Sequence, residues 1–522
     1  MASAETMIIK ESMLAKMSRR FQRAPVESLA IVLIGPWIMT SIGRGAWRLV
    51  TETPEENPKY HVLRKKISSA STTTTTTTDE SGVEDGKRAV IKYRGKTFVQ
   101  TESKETVDLS WFGAIPYWIP VCLIGLEGFL VLRDGVGHFV RRGYSPAQRH
   151  LIQGYVFFAV LPVVDLLSGD DWANPTKEQQ RDRRLAYRFR LPLYLWTLFE
   201  FITTAGAFRT ILDFNNGLSK RSRWALIMQL GLFNGAFGIN VAHELLHKNN
   251  RFENALAWAL LTNVNYCHWN DEHEVGHHMH VATPLDPATA REGETVYSFL
   301  PRSFAGGFRS ACHLEQQRLL KEENISIWYT PKNRVLRGIL GSAVWALILA
   351  KLSKSKWAIP LFYFQGLFGA LLLEVVNYME HFGLLRKQDP VTGEYEPVDP
   401  RHSWNAPNRF SNTILFKLQR HSDHHTFPTR PYEILRNFVE SPQLPNGYIG
   451  MFTLAVVPRA FFWIMNPLLE AHRLEFNADR EPTESELGKV GELKLLARRR
   501  IWTWTLSNFG ITTAAILFAF RQ

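Results

Sequence analysis

The chain has 522 residues, 45% of them hydrophobic, with a mean hydropathy of −0.15. That balance excludes a bundle made of membrane helices alone and requires apolar spans joined to a sizeable polar part. The formal net charge of +12 is spread through loops between apolar stretches, which suits membrane topology and argues against a nucleic-acid partner. Three cysteines, Cys122, Cys267 and Cys312, form no CxxC pair, which argues against a disulfide framework, a rubredoxin-like iron site or a Cys-ligated cluster within the chain.

In chain order, residues 1–108 read as an N-terminal extension. Its apolar stretch Leu29–Ile42 is short, is interrupted by Gly35 and Pro36, and follows five basic residues in Lys10–Arg23, so it reads as a re-entrant, interfacial or membrane helix. The long region before it argues against a cleaved signal. Arg44–Asp108 is polar, contains seven threonines at Thr72–Thr78, and reads as a linker without a packed core. Six core spans follow, near Leu109–Leu132, Arg149–Ser168, Arg190–Phe208, Trp224–Ala242, Leu336–Ala350 and Trp357–Tyr378. Most have the length needed to cross a hydrocarbon core of roughly 30 Å. Residues 109–475 are thus expected to be one membrane domain. Residues 476–522 form a tail whose stretch Trp502–Phe520 suggests a closing span or an interfacial helix. The expected fold class is all-α, a polytopic membrane helical bundle.

Lysine and arginine counts orient the bundle. Segment Arg44–Asp108 carries 12, Arg133–Arg142 carries 3, Gly169–Arg190 carries 6, Arg209–Arg223 carries 4 and His243–Val335 carries 9. The alternation places the first, third and fifth of these on one side, expected to be the cytosol. The last two core spans form a hairpin that returns the chain to that side before His381. Two features resist this reading: Lys351, Lys354 and Lys356 fall at the outer tip of the hairpin, and a spanning Leu29–Ile42 would put the basic N-terminus outside.

Nine histidines lie in four clusters on the expected cytosolic side: HELLHK (His243, His247), EHEVGHH (His273, His277, His278), NYMEH (His381) and LQRHSDHH (His421, His424, His425). Neutral imidazole is a good ligand for iron, zinc and copper, and nine exceed the needs of one ion, so a two-metal centre is expected. On an α-helix, His243 and His247 share a face, as do His273 and His277, and so do His421, His424 and His425. HELLH is also a zinc-protease signature with Glu244 as general base, but such a site takes three protein ligands and leaves the other histidines without work. A zinc transporter would place its ligands in mid-span or in a flexible loop. The isolated His61, His138, His150, His402 and His472 read as structural, and His268, His280 and His313 as surface or supporting groups. Carboxylates beside the ligands, Glu244, Glu272, Asp286, Glu380 and Asp423, are candidates to accept the second imidazole N–H. Glu374 lies seven residues before His381 on the same helix face. Glu274 reads as surface charge, and for Asp165, Glu127 and Glu200 packing or helix pairing fits about as well as a part in the site.

The four clusters in this order resemble the integral-membrane alkane monooxygenases (the AlkB family). The similarity continues through LPVVDLLSGDDWANP (Leu161–Pro175), VATPLDPATAREGE (Val281–Glu294), GFRSACHLE (Gly307–Glu315), NYMEHFGLLR (Asn377–Arg386) and HSDHHTFPTRPYEILR (His421–Arg436), and it covers about Leu109 to Arg473. Membrane desaturases share spaced histidines but not this combination. Phe382 stands where the family often has Tyr, and the N-terminal 108 residues and the tail lie outside the pattern. The resemblance implies six core helices and a cytosolic histidine-rich cap with two non-haem Fe ions on His243, His247, His273, His277, His278, His381, His421, His424 and His425. It further implies terminal hydroxylation of medium- or long-chain n-alkanes to 1-alkanols, using O2 and electrons from a separate rubredoxin- or ferredoxin-type donor with its reductase. An unactivated methyl group offers no handle for acid–base or nucleophilic attack, which agrees with a metal-based oxidant. An alkane would enter from lipid and be oriented by channel shape alone. A fatty-acyl desaturase or ω-hydroxylase is the alternative enzyme. The threonine run and long extension suggest an endoplasmic-reticulum-type membrane.

Overall fold

The computed structural model describes residues 83–85, 88–93, 96–101, 106–134, 152–181, 187–476 and 480–521. The expected helix at 29–42 and the threonine run lie outside them. The described chain is mostly helical. The main helices are α1 (Trp111–Asp134), α2 (Ile152–Ser168), α3 (Tyr187–Leu212), α4 (Lys220–Leu246), α5 (Arg251–Asn263), α6 (Val296–Glu322), α7 (Arg334–Ser353), α8 (Ala358–His381), α9 (Pro458–Glu475) and α10 (Glu484–Arg521). Among the described residues, α3, α4, α7 and α8 are long and apolar enough to cross a membrane. The expected span at Arg149–Ser168 is represented by the shorter α2, which is wound as a π-helix over Val156–Val160. Side-chain caps start several helices: Ser219 accepts from Ser222 N–H, Asn250 from Phe252 N–H, Thr295 from Ser298 N–H and Asn333 from Leu336 N–H.

Small residues and buried amides decide how the spans pack. A side chain on Gly235 of α4 would come within 2.5 Å of Gly369 Cα on α8, and one on Gly231 within 2.8 Å of the Gln365 carbonyl. The two helices therefore meet backbone to backbone, the contact that small residues allow between spans. Beside this contact, Asn263 donates to Glu200 (2.9 Å) and Thr204 (3.2 Å), Asn234 donates to Gln365 (3.2 Å), and Gln365 donates to the Asn263 carbonyl (2.8 Å). Trp196 Nε1 donates to the other Glu200 oxygen at 2.7 Å. Glu200, ambiguous in sequence, thus pairs α3 with α5, in a network that Asn234 and Gln365 extend to α4 and α8. Gly235→Leu is expected to lower stability by about 1–3 kcal/mol or more through overpacking. Thermal unfolding in detergent checks this, and an unchanged midpoint would refute the backbone contact.

One segment differs from its sequence reading and another extends it. The linker Arg44–Asp108 contains an antiparallel three-stranded sheet, β1 (Val83–Asp85), β2 (Arg88–Tyr93) and β3 (Lys96–Val99), with Val90 opposite Val99 and Tyr93 opposite Lys96. Beyond β3, Gln100 pairs with Phe438 and Phe98 is buried against it, so this end of the extension packs on the core. The apolar run Trp502–Phe520 is the second half of one continuous 38-residue helix, α10, which lies along α9. Asn508 donates to the Phe158 carbonyl of α2 at 2.9 Å, and Tyr155 shares a 2.8 Å hydrogen bond with Thr513. The tip between α7 and α8 carries Lys351, Lys354 and Lys356, all exposed, with Lys354 in the left-handed conformation that ends α7.

Candidate metal centre

The four histidine clusters meet in one place. α4 delivers His243 and His247 at its C-terminal end, and α8 delivers His381 at its own. Short turns from Trp269 to His280 carry His273, His277 and His278, and the helix His421–Thr426 carries the last three. The rings fall into two groups. In the first, one ligand nitrogen each from His243, His247, His273, His278 and His424 lies within 4.8 Å of all the others; in the second the same holds for His277, His381, His421 and His425. The groups adjoin: the ring centroids of His278 and His425 are 4.3 Å apart.

This partition is not the one that α-helical spacing predicts. Glu272–His277 is wound as a π-helix, whose wider turn, closed by i→i+5 hydrogen bonds, sets His278 as well as His277 beside His273, with ring centroids 4.8 and 5.3 Å away. The Nε2 atoms of His273 and His278 are 3.3 Å apart, while His277 turns to the other group. His424 joins the first group and His421 and His425 the second, although all three share one short helix. The expectation that each i,i+4 pair serves one face is corrected for His273 and His277. It holds for His243 with His247 and for His421 with His425.

The ring nitrogens fit a cation better than one another. Nε2 of His424 lies 3.1 Å from Nε2 of His278, and Nε2 of His421 lies 2.9 Å from that of His425 and 3.3 Å from that of His381. Nε2 of His243, His247 and His277 is buried without a hydrogen-bond partner. Five or four imidazoles converging so closely cannot satisfy each other by donation, whereas a metal ion accepts a lone pair from each. Burial first, and then the neighbouring rings, push His273, His278, His421, His424 and His425 well below the ordinary imidazole range, which keeps them neutral and able to ligate. At His277 the tautomer follows from its partner. Nδ1 donates to Asp286 Oδ2 at 2.9 Å, leaving the Nε2 lone pair aimed at the group. Burial alone would raise the Asp286 carboxyl, but the hydrogen bonds it accepts from His277 and, at 2.6 Å, from Thr289 hold it below the usual carboxylate range.

Comparison with known proteins bears on what such a centre belongs to. Residues 221–455 match the family model described as fatty acid desaturase. The chain is 38% identical to alkane 1-monooxygenase 1 of Pseudomonas aeruginosa over 340 residues, 63% of this chain and 85% of the relative. It is 39% identical to the alkane 1-monooxygenase of Pseudomonas putida over 382 residues, 72% of this chain and 89% of the relative. The chain belongs to the alkane 1-monooxygenase family. A third relative, alkane 1-monooxygenase 2 of Alcanivorax borkumensis, is 33% identical over 384 residues, 72% of this chain and 95% of the relative.

In this alkane 1-monooxygenase family member the carboxylates near the histidines do different things. Asp286 is on a ring, and Glu380 Oε2 lies 3.3 Å from His421 Nε2. Glu244, expected beside the ligands, instead takes Arg190 Nη1 at 2.6 Å and Lys248 at 3.2 Å, while Arg190 grips Glu253 with two further bonds of 2.7 and 3.0 Å. Asp423, also expected there, accepts from the Arg436 guanidinium and backbone N–H, each at 2.8 Å. Glu374 is held by Tyr266 Oη at 2.8 Å and by Ser303 Oγ. In each case a buried cation or hydroxyl out-competes an imidazole for the charge. Glu272 folds back over Gly276, where an added side chain would meet its oxygen at 2.5 Å, and burial raises its carboxyl to about 8. Sequence reasoning missed Arg190, Arg436 and Ser403, the last of which lies 3.5 Å from His381 Nδ1. A lone arginine at a span end and an isolated serine carry no spacing signal. His402 accepts the Asp399 N–H in a capping turn and, with Glu396 and Asp399, forms a third, separate group of metal-capable side chains.

Proposed function

We propose that this protein hydroxylates the terminal methyl of medium- or long-chain n-alkanes to 1-alkanols. The balanced reaction is R–CH3 + O2 + 2e⁻ + 2H⁺ → R–CH2OH + H2O. The observation that carries this reading is the convergence of nine imidazoles into two adjoining groups, in a chain whose relatives are named alkane 1-monooxygenases. We assign the five-histidine and four-histidine groups to two Fe ions, which when bound supply the O2 chemistry that no side chain of the site can. The chain's own part is to hold the rings. Asp286 orients His277, Glu380 abuts His421, and burial of the rings excludes bulk water.

The remaining assignments follow from charge and composition. The metal side faces the cytosol by the Lys/Arg alternation, the bundle has six core spans, and residues 109–475 carry the catalytic domain. Without a cysteine pair in the chain, a separate rubredoxin- or ferredoxin-type protein delivers the electrons. Membranes containing the protein, supplied with O2, a reductase system and graded n-alkanes, are expected to form 1-alkanols and to hold about two irons per chain. The family-model match over 221–455 favours one second reading, a fatty-acyl desaturase or ω-hydroxylase. Feeding fatty acid in parallel separates the two, and a double bond in place of any 1-alkanol would sink the first. Asp286→Asn is expected to lower iron affinity or turnover by about 10–100-fold, the usual weight of a carboxylate behind a ligating histidine. Iron titration and alkanol yield measure it, and a variant equal to wild type would remove Asp286 from the site.

A further inference from the structure

The end of the N-terminal extension, outside the matched stretch 221–455, touches both loops that support the histidines from behind. Lys96 Nζ donates to Glu396 Oε2 at 2.8 Å and to Asp399 Oδ2 at 3.0 Å. Asp399 caps the turn Pro400–His402 by accepting from Arg401 N–H at 3.0 Å. The chain leaving that turn is fastened to the end of α8. Trp404 N–H donates to the Glu380 carbonyl at 2.8 Å, Trp404 Nε1 donates to the Phe382 carbonyl at 2.9 Å, and Ser403 Oγ lies 3.5 Å from His381 Nδ1. One arm of the strand thus leads to His381.

The other arm leads to the last cluster. Val99 N–H donates to Glu440 Oε1 at 3.0 Å, its carbonyl accepts from Val439 N–H at 2.9 Å, and Thr101 N–H donates to the Asn437 carbonyl at 3.1 Å. Residue 436, next in the chain, is the arginine clamped to Asp423 between His421 and His424. The six-residue segment Lys96–Thr101 therefore fastens both segments that fix His381 and His421–His425, which are also bonded to each other through Asn405, whose N–H donates to the Pro442 carbonyl at 2.8 Å and whose carbonyl accepts from Leu444 N–H at 2.7 Å.

We propose that Lys96–Thr101 is a clamp that holds the metal-binding loops in register, with Lys96 a positioning residue for His381. It rests on the reading that the histidines bind metal, and it adds a role for chain outside the histidine-bearing stretch. The test uses the full-length protein with Lys96→Met, Val99→Pro, the rescue Lys96→Arg and the control Thr97→Ala at the exposed position of the same strand. Two readouts are taken: amide hydrogen exchange at residues 399–404 and 436–440 in metal-free protein, and iron release to a chelator followed by Mössbauer spectroscopy.

Lys96→Met is expected to speed exchange at 399–404 and to release iron roughly tenfold faster, the lower end of what outer partners of metal ligands contribute. The signal assigned to the four-histidine group should fade first. Val99→Pro should act on 436–440, while Lys96→Arg and Thr97→Ala stay near wild type. Unchanged exchange and unchanged iron release in both Lys96→Met and Val99→Pro, or equal loss in Thr97→Ala, would overturn the clamp. A wild type that holds no metal would sink the metal reading instead, while faster exchange in Lys96→Met alone would still support the strand's hold on the loop.

Discussion

Replacing His277 with alanine is expected to empty the four-histidine group first, and replacing His278 to empty the five-histidine group first, although the two residues are neighbours. The cause is the π-turn over Glu272–His277, which sends His278 to the side of His273 and His277 to the side of His381. Were the segment α-helical, His273 and His277 would share one metal, and His277→Ala would disturb the same signal as His273→Ala. Iron content with Mössbauer spectra of the three alanine variants decides between the two windings. Each loss of a ligand should also lower 1-alkanol formation by at least about 100-fold, the upper end of what even a residue behind a ligand contributes. Pairing of His277 with His273 in the spectra would show that the π-winding does not set the partition.

Arg190→Met is expected to be among the most destabilising single changes outside the histidines. The guanidinium is fully buried and bonded to two carboxylates, Glu244 and Glu253. Its removal leaves Glu253 with the Tyr194 hydroxyl and Glu244 with Lys248. Deleting one partner of a buried ion pair typically costs about 3–5 kcal/mol, because the remaining charge stays out of water. Thermal unfolding in detergent, or yield of membrane-inserted protein, measures this loss. The double change Arg190→Met with Glu253→Gln should recover part of it. A wild-type midpoint for Arg190→Met alone would mean that the ion network is not what holds α3 to α4 and α5. The same network settles the HELLH motif. A zinc-protease base must offer a carboxylate to a metal-bound water, and Glu244 is committed to Arg190 and Lys248.

Much of the architecture is legible in residue order because apolar runs of span length and helical histidine spacing are local signals. The expected spans at Arg190–Phe208, Trp224–Ala242 and Leu336–Ala350 each lie inside an observed apolar helix, and Trp357–Tyr378 lies inside α8 except for Trp357, its N-cap. Their polar flanks are wound into the same helices by capping residues such as Asn333 and by buried partners such as Glu253 on Arg190. The ordered end of the linker is not legible in residue order because β3 has a weak apolar signature. Its order comes from backbone pairing with residues 437–439, more than 330 positions away, which no window of sequence reports.

The sequence by itself determined that nine imidazoles, more than a single metal ion would use, lie in four clusters just past or between the apolar segments, and which family they resemble. Only the tertiary structure decided how they divide. The division of the nine into five and four depends on a π-turn that rotates His278 away from His277 and on α8 bringing His381 beside His421. It also decided which carboxylates serve the rings. Asp286 reaches His277 because Thr289 and the turn after the π-segment hold it there, whereas Glu244 and Asp423 are captured by arginines from distant segments. The physical reason is the same in each case: a buried carboxylate goes to the strongest donor that folding brings within reach, and sequence spacing does not say which donor that is.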